Sequence, residues 1–304
     1  MKAPSRALLL AALVVLTAPA CGQTGEAAPP HGSVDLGNGR TLFLDCQGYG
    51  SPTVLIIPGK GSYAEAWNVI VPPGDPIRSS PYDLISQASL TPSPDAVQPT
   101  VARTTRVCAY DRPNTRPDGT DRSTPVSQPH SLAAAVDDVE TLIDAAHLRG
   151  PFVVAAHSYG GLIADLLART RPDLISALVM VDPVSEFLPS VGTPAQNAAF
   201  DRDGRVPATP DGEGVLFDDA FARIKAAPAL PNVPAAVLSS GKFPAPEMLT
   251  PENYTLSQIH RANDMLAAEL RTSNRIVADS GHNVMLYSPQ EVAETIVGIM
   301  ERVR

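Results

Sequence analysis

The sequence predicts an α/β protein with a doubly wound, mostly parallel sheet. Three observations carry this. Short apolar runs recur along the chain and are continuous rather than alternating, as strands covered on both faces must be. Segments with helical spacing separate them. Several of the runs end in tight turns that carry chemically capable residues: Pro58-Gly59, Asp111-Arg112-Pro113, His157-Ser158-Tyr159-Gly160 and Asp182-Pro183. The chain has 304 residues, 44% hydrophobic and 18% charged, enough for one large domain with its own core.

The first twenty residues read as an export signal. Lys2 and Arg6 give a positive start, and Ala7 to Leu16 is an apolar run too short to span a bilayer. Ala18-Pro19-Ala20-Cys21 has two readings. Ala18-x-Ala20 fits ordinary signal peptidase cleavage. The tetrapeptide also resembles a bacterial lipobox whose cysteine is acylated, with Ala18 in place of the usual leucine. Residues 21–32 are then expected to form a flexible tether, and the protein is expected to be exported, either lipid-anchored at the outer face of the cell membrane through Cys21 or secreted. Cys46 and Cys108 remain for an oxidising compartment, as a disulfide or as two buried thiols. The formal charge of −9 argues against nucleic acid as a partner, since phosphate binding wants a basic face.

From residue 33 to 304 the elements follow in order. Val34–Leu36 and Thr41–Cys46 flank Asn38-Gly39 as a hairpin. Strands are expected at Thr53–Ile57, Arg106–Tyr110, Phe152–Ala156, Ala177–Val181, Ala235–Leu238 and Arg275–Ala278. Helices are expected at Ser131–His147, Gly160–Arg171, Leu256–Leu270 and Pro289–Val303, the last with Pro289 in its first turn. Two stretches break the rhythm. Val71–Thr100 is rich in proline, with room for a short helix at Tyr82–Ser89. Residues 184–232 are rich in Pro, Gly and Asp, with one helix at Asp218–Ala226, and read as a lid or cap. Proline is abundant overall, 31 residues, about twice average usage.

The chemistry concentrates at Ala156-His157-Ser158-Tyr159-Gly160. A serine hydroxyl needs a base and exposure to act as a nucleophile. A sharp strand-to-helix turn gives exposure, and small residues two before and two after let the chain turn. The helix N-terminus also favours developing negative charge. The base is expected late in the chain, where His282 follows the last strand in Ser280-Gly281-His282-Asn283. His260, within a helix, reads as a surface residue, and His157 as packing beside the serine. No cluster has metal-ligand spacing, so neither metal nor cofactor is expected.

On these motifs the chain resembles the α/β-hydrolase superfamily of esterases, lipases and related enzymes, from about residue 33 to the end. The resemblance rests on Pro58-Gly59-Lys60-Gly61, Tyr110-Asp111-Arg112-Pro113, Ala156-His157-Ser158-Tyr159-Gly160-Gly161 and Gly281-His282. It implies an eight-stranded sheet in which the second and fourth strands are neighbours, which places Cys46 beside Cys108 as a disulfide. It implies an oxyanion hole made by the backbone N–H groups of Tyr159 and Lys60, although many members carry His-Gly where this chain has Pro58-Gly59. It implies a Ser158–His282–acid triad acting on a carboxylic ester or related acyl substrate. The acid departs from the commoner pattern: no carboxylate follows the seventh strand until Glu247 and Glu252. Asp182, ending the sixth strand, takes the role as some branches place it, with Glu247 as the alternative. Asp111 and Arg112 read as an ion pair or loop anchor. A serine nucleophile argues against dehalogenase or epoxide hydrolase chemistry, which attacks through a carboxylate. The competing reading is a catalytically silent binding lipoprotein on the same fold.

Overall fold

The computed structural model describes residues 29–116, 120–207 and 209–304. The export signal, the cleavage site and Cys21 lie outside the described residues. The main sheet has eight strands: β1 His31–Gly37, β2 Arg40–Gln47, β3 Val54–Ile57, β4 Val107–Asp111, β5 Phe152–His157, β6 Ile175–Val181, β7 Ala235–Ser240 and β8 Asn274–Val277. Their order across the sheet is β1-β2-β4-β3-β5-β6-β7-β8. The β1–β2 and β2–β4 pairs are antiparallel and the rest are parallel. β1 begins two residues before Ser33, so the end of the expected tether is the first rung of the sheet.

The continuous apolar runs are explained by what covers them. Leu55, Ile57, Val154 and Ala156 belong to one core, and Val54, Ile56, Val153 and Ala155 to another on the opposite face. The first core receives α2 (Leu132–Ala145), α3 (Gly160–Thr170), α6 (Phe217–Ala226) and α7 (Leu256–Glu269). The second receives α1 (Val97–Ala102), α8 (Val284–Tyr287) and α9 (Pro289–Glu301). Strand order reverses around β3, whose successors β4 and β5 lie on either side of it. Such a switch point opens a crevice at the strand ends.

The register sets Cys46 opposite Cys108, and the two form a disulfide. The two irregular stretches hold more structure than expected. In the first, α1 forms where a helix was not expected, and Tyr82–Ser89 holds only a single 3-10 turn at Ile85–Gln87. In the second, α4 (Leu188–Val191) and α5 (Pro194–Arg205) precede α6. Thr193 caps α5 by accepting from the Gln196 N–H, while the Gln196 side chain accepts from the Thr193 N–H. This segment is not a detached flap. Phe217, Ala220 and Ile224 of α6 are buried in the first core, so its base is part of the domain.

Candidate active site

Ser158 leaves β5 and enters α3 with φ 52°, a left-handed conformation that a serine adopts only when its surroundings force it. The forcing is visible. The Ser158 N–H donates to Val181 O, while its carbonyl accepts from Gly161 N–H and Val184 N–H. A Cβ on Gly160 would sit 2.4 Å from Ile57 O and 2.6 Å from Pro58 O, so only glycine lets α3 start this close to β3. A Cβ on Gly59 would lie 2.9 Å from Ser158 Cβ, which puts the loop after β3 against the serine.

His282 Nε2 lies 3.0 Å from Ser158 Oγ, and its Nδ1 lies 2.6 Å from Asp182 Oδ2. Ser158, His282 and Asp182 therefore form one hydrogen-bonded line. Asp182 sits at the end of β6 with φ 40° and is buried. Its carboxylate is held by two donors from the end of β7, the Ser240 N–H to Oδ1 and the Ser240 hydroxyl to Oδ2, each at 2.9 Å. Burial works against its charged form. The His282 hydrogen bond and charge and the Ser240 donors outweigh burial and hold the carboxyl below its ordinary range. For His282, burial disfavours the imidazolium. Asp182, with a smaller contribution from Asp83, more than reverses this and raises the ring above its ordinary value. Glu247 lies exposed on a turn at Pro246–Met248, with no bond to His282.

Three residues outside the expected set support the histidine. His157 Nε2 lies 2.9 Å from His282 O. Burial and the neighbouring His282 push the His157 ring down to about 3, so it is neutral and donates this bond. Asp83, from the first irregular stretch, accepts from His282 N–H at 2.8 Å and from Tyr287 hydroxyl at 2.9 Å. His260 is not a free surface residue: its Nε2 lies 2.8 Å from Ser240 O, behind the donors that hold Asp182. Sequence reading missed Asp83. A carboxylate in a Pro-rich loop gives no local signal for a partner 199 residues away.

The loop after β3 is fixed from behind. The buried Arg112 guanidinium donates to Pro58 O and Gly59 O, and pairs with Glu213 through Nε at 2.7 Å and Nη2 at 3.1 Å. Glu213 also accepts from Gly61 N–H at 2.7 Å. With the carbonyls before Lys60 and the N–H after it occupied, Lys60 N–H has no acceptor among the described residues, and neither does Tyr159 N–H. Burial disfavours the Arg112 charge, but Glu213 more than compensates and the guanidinium stays charged. The Lys60 ammonium turns toward the lid, donating to Val206 O at 2.9 Å, and burial lowers its pKa. Asp111 and Arg112 do anchor loops, but with different partners: Asp111 pairs with Arg122 and accepts from Ala64 N–H.

A cavity of about 560 Å³ opens over Ser158 and His282. Its wall is largely apolar, with Ile85 from the first irregular stretch, Val184, Leu188, Phe200 and Phe217 from the lid, and Leu249. Both irregular stretches thus cover the site.

A strained serine on a strand–helix turn, a histidine after the last strand and a doubly wound eight-stranded sheet define a class. The chain belongs to the alpha/beta hydrolase family, whose model matches residues 54–295. Among curated proteins it is 42% identical over 59 residues to "Lipase LipV" of Mycobacterium tuberculosis, a match that covers 19% of this chain and 22% of that one. The chain thus spans about a fifth of that relative's length. Among solved structures it resembles a thermophilic esterase from Thermogutta terrifontis, with TM-score 0.54 and 16% identity over 91% of this chain and 99% of that one. It equally resembles the epoxide hydrolase CorEH, with TM-score 0.55 and 16% identity over 90% and 99% of the two chains. These two likenesses establish the fold.

Proposed function

We propose that the protein is a serine hydrolase cleaving a carboxylic ester through an acyl-enzyme. The observation that carries this reading is the unbroken line Ser158 Oγ–His282–Asp182, with contacts of 3.0 and 2.6 Å. His282 removes the Ser158 proton as the oxygen attacks the ester carbonyl. Asp182 fixes the ring so that Nε2 faces the serine and steadies the imidazolium that forms. Lys60 N–H and Tyr159 N–H receive the oxyanion, a contribution of about 3 kcal/mol each to the barrier. The imidazolium protonates the leaving alcohol. His282 then takes a proton from water, which attacks the acyl-enzyme and frees Ser158.

Serine at the elbow favours ester over epoxide opening, because an epoxide-opening member of this fold needs a carboxylate nucleophile there. The complete line also favours an enzyme over a silent binding protein. The apolar cavity suits a medium-length acyl chain. We read residues 1–20 as an export signal and Cys21 as the lipid anchor. The Cys46–Cys108 disulfide supports an oxidising compartment.

Hydrolysis of p-nitrophenyl esters of graded chain length tests the reading. Turnover is expected to peak between butyrate and octanoate and to vanish in Ser158→Ala. A general base must be unprotonated. Because His282 is raised, kcat/KM should rise with pH through an acid limb above the ordinary imidazole value of about 6.5. Activity that is undiminished in Ser158→Ala would refute it.

A further inference from the structure

One buried polar residue on the cavity wall is incompletely bonded among the described residues. Asn263 on α7 lines the cavity and is 1% exposed. A relay fixes which way its amide faces. Asn274 Nδ2 donates to Asp264 Oδ1 at 3.1 Å, and a carboxylate oxygen only accepts. Asn274 therefore presents Oδ1 to Ser239, whose hydroxyl donates to it at 2.8 Å. That leaves the Ser239 oxygen to accept, which it does from Asn263 Nδ2 at 2.9 Å. Asn263 Oδ1 is then a buried carbonyl oxygen with no partner among the described residues. Of the buried side-chain atoms in that condition, it alone belongs to a residue lining the cavity. A buried acceptor left unmade is costly, and a ligand that brings a donor removes the cost.

We propose that Asn263 Oδ1 is a recognition acceptor for the acyl group. The preferred substrate then carries a hydrogen-bond donor, a hydroxyl or an amide N–H, on an otherwise apolar chain. The proposal rests on reading the cavity as the acyl site of a serine hydrolase. Ser239 immediately precedes Ser240, which holds Asp182, so the relay is built into the strand end that grips the candidate acid. Asn263 binds and orients; it takes no part in the bond-making steps.

The test compares kcat/KM for four ethyl esters of matched length: hexanoate, 3-hydroxyhexanoate, 6-hydroxyhexanoate and N-propionylglycinate. In the native protein at least one donor-bearing ester should exceed hexanoate about tenfold, the worth of one buried hydrogen bond. The hydroxy esters and the amide ester show which donor is used. Asn263→Leu should bring that ratio to about one while hexanoate turnover stays within a few-fold. Should Asn263→Leu fail to fold, Ser239→Ala, which frees the amide to turn, should shrink the same ratio. Equal rates for all four esters in the native protein, meaning that water satisfies the oxygen, would overturn the proposal. So would a preference that survives Asn263→Leu or Ser239→Ala. A failure of the hydrolase reading looks different: none of the four is turned over, and the subsite proposal falls with it.

Discussion

Asp182→Asn is expected to lower kcat by about 10³–10⁴-fold with little change in KM. The reason lies in the bonds around it. Ser240 donates to both carboxylate oxygens, and His282 Nδ1–H donates to one of them. An asparagine has one acceptor and one donor group. Turned to keep its oxygen on the Ser240 N–H, it directs Nδ2 at the Ser240 hydroxyl and at His282 Nδ1. That favours the ring tautomer carrying hydrogen on Nε2, which cannot accept the serine proton. The variant also loses the charge that raises His282, so its residual activity should have an acid limb at lower pH than native. Glu247→Gln should leave kcat unchanged, since Glu247 is exposed and unbonded to His282. Steady-state kinetics of the two variants across pH measure both effects, and the reverse ranking would move the acid to Glu247.

Arg112→Met should damage stability and turnover together. It leaves Glu213 buried with Gly61 N–H as its main remaining donor, a loss of about 3–5 kcal/mol for a broken buried pair. It also releases Pro58 O and Gly59 O, and so loosens the loop that carries Lys60 N–H, the proposed oxyanion donor. Losing one oxyanion donor costs about 10²–10³-fold in kcat. The two losses separate in the double variant Arg112→Met with Glu213→Leu. An apolar pair of similar volume should recover much of the stability, because the uncompensated charge is gone. Turnover should stay low, because nothing holds the loop carbonyls. Thermal melts and kcat for the single and double variants measure this. Recovery of kcat along with stability would show that the pair is structural only.

The sheet was legible because its strands are covered on both faces and so appear as unbroken apolar runs. Ser158 and His282 were legible as candidates because a nucleophile needs a tight turn and a base needs a loop at a strand end, both local features. Asp182 was harder. Its proposed role depends on the β6 and β7 ends lying side by side, which only the family fold supplied in advance. Glu213 was illegible. Between Gly212 and Gly214 it looks like any solvated loop carboxylate, yet it reaches Arg112 across 101 positions. Helix α5 was hidden by the Pro, Gly and Asp around it. Its signal, Thr193-Pro194 with Gln196 at the capping-box position, was present and shorter than the composition that masked it.

Everything proposed for the site depends on Ser158 being an activated nucleophile. Labelling with a fluorophosphonate probe followed by peptide mapping decides this. The native protein should take up one phosphonyl group, on the peptide containing Ser158, slowly in Asp182→Asn and not at all in Ser158→Ala. Absence of labelling in the folded native protein, or labelling that persists in Ser158→Ala, would contradict it.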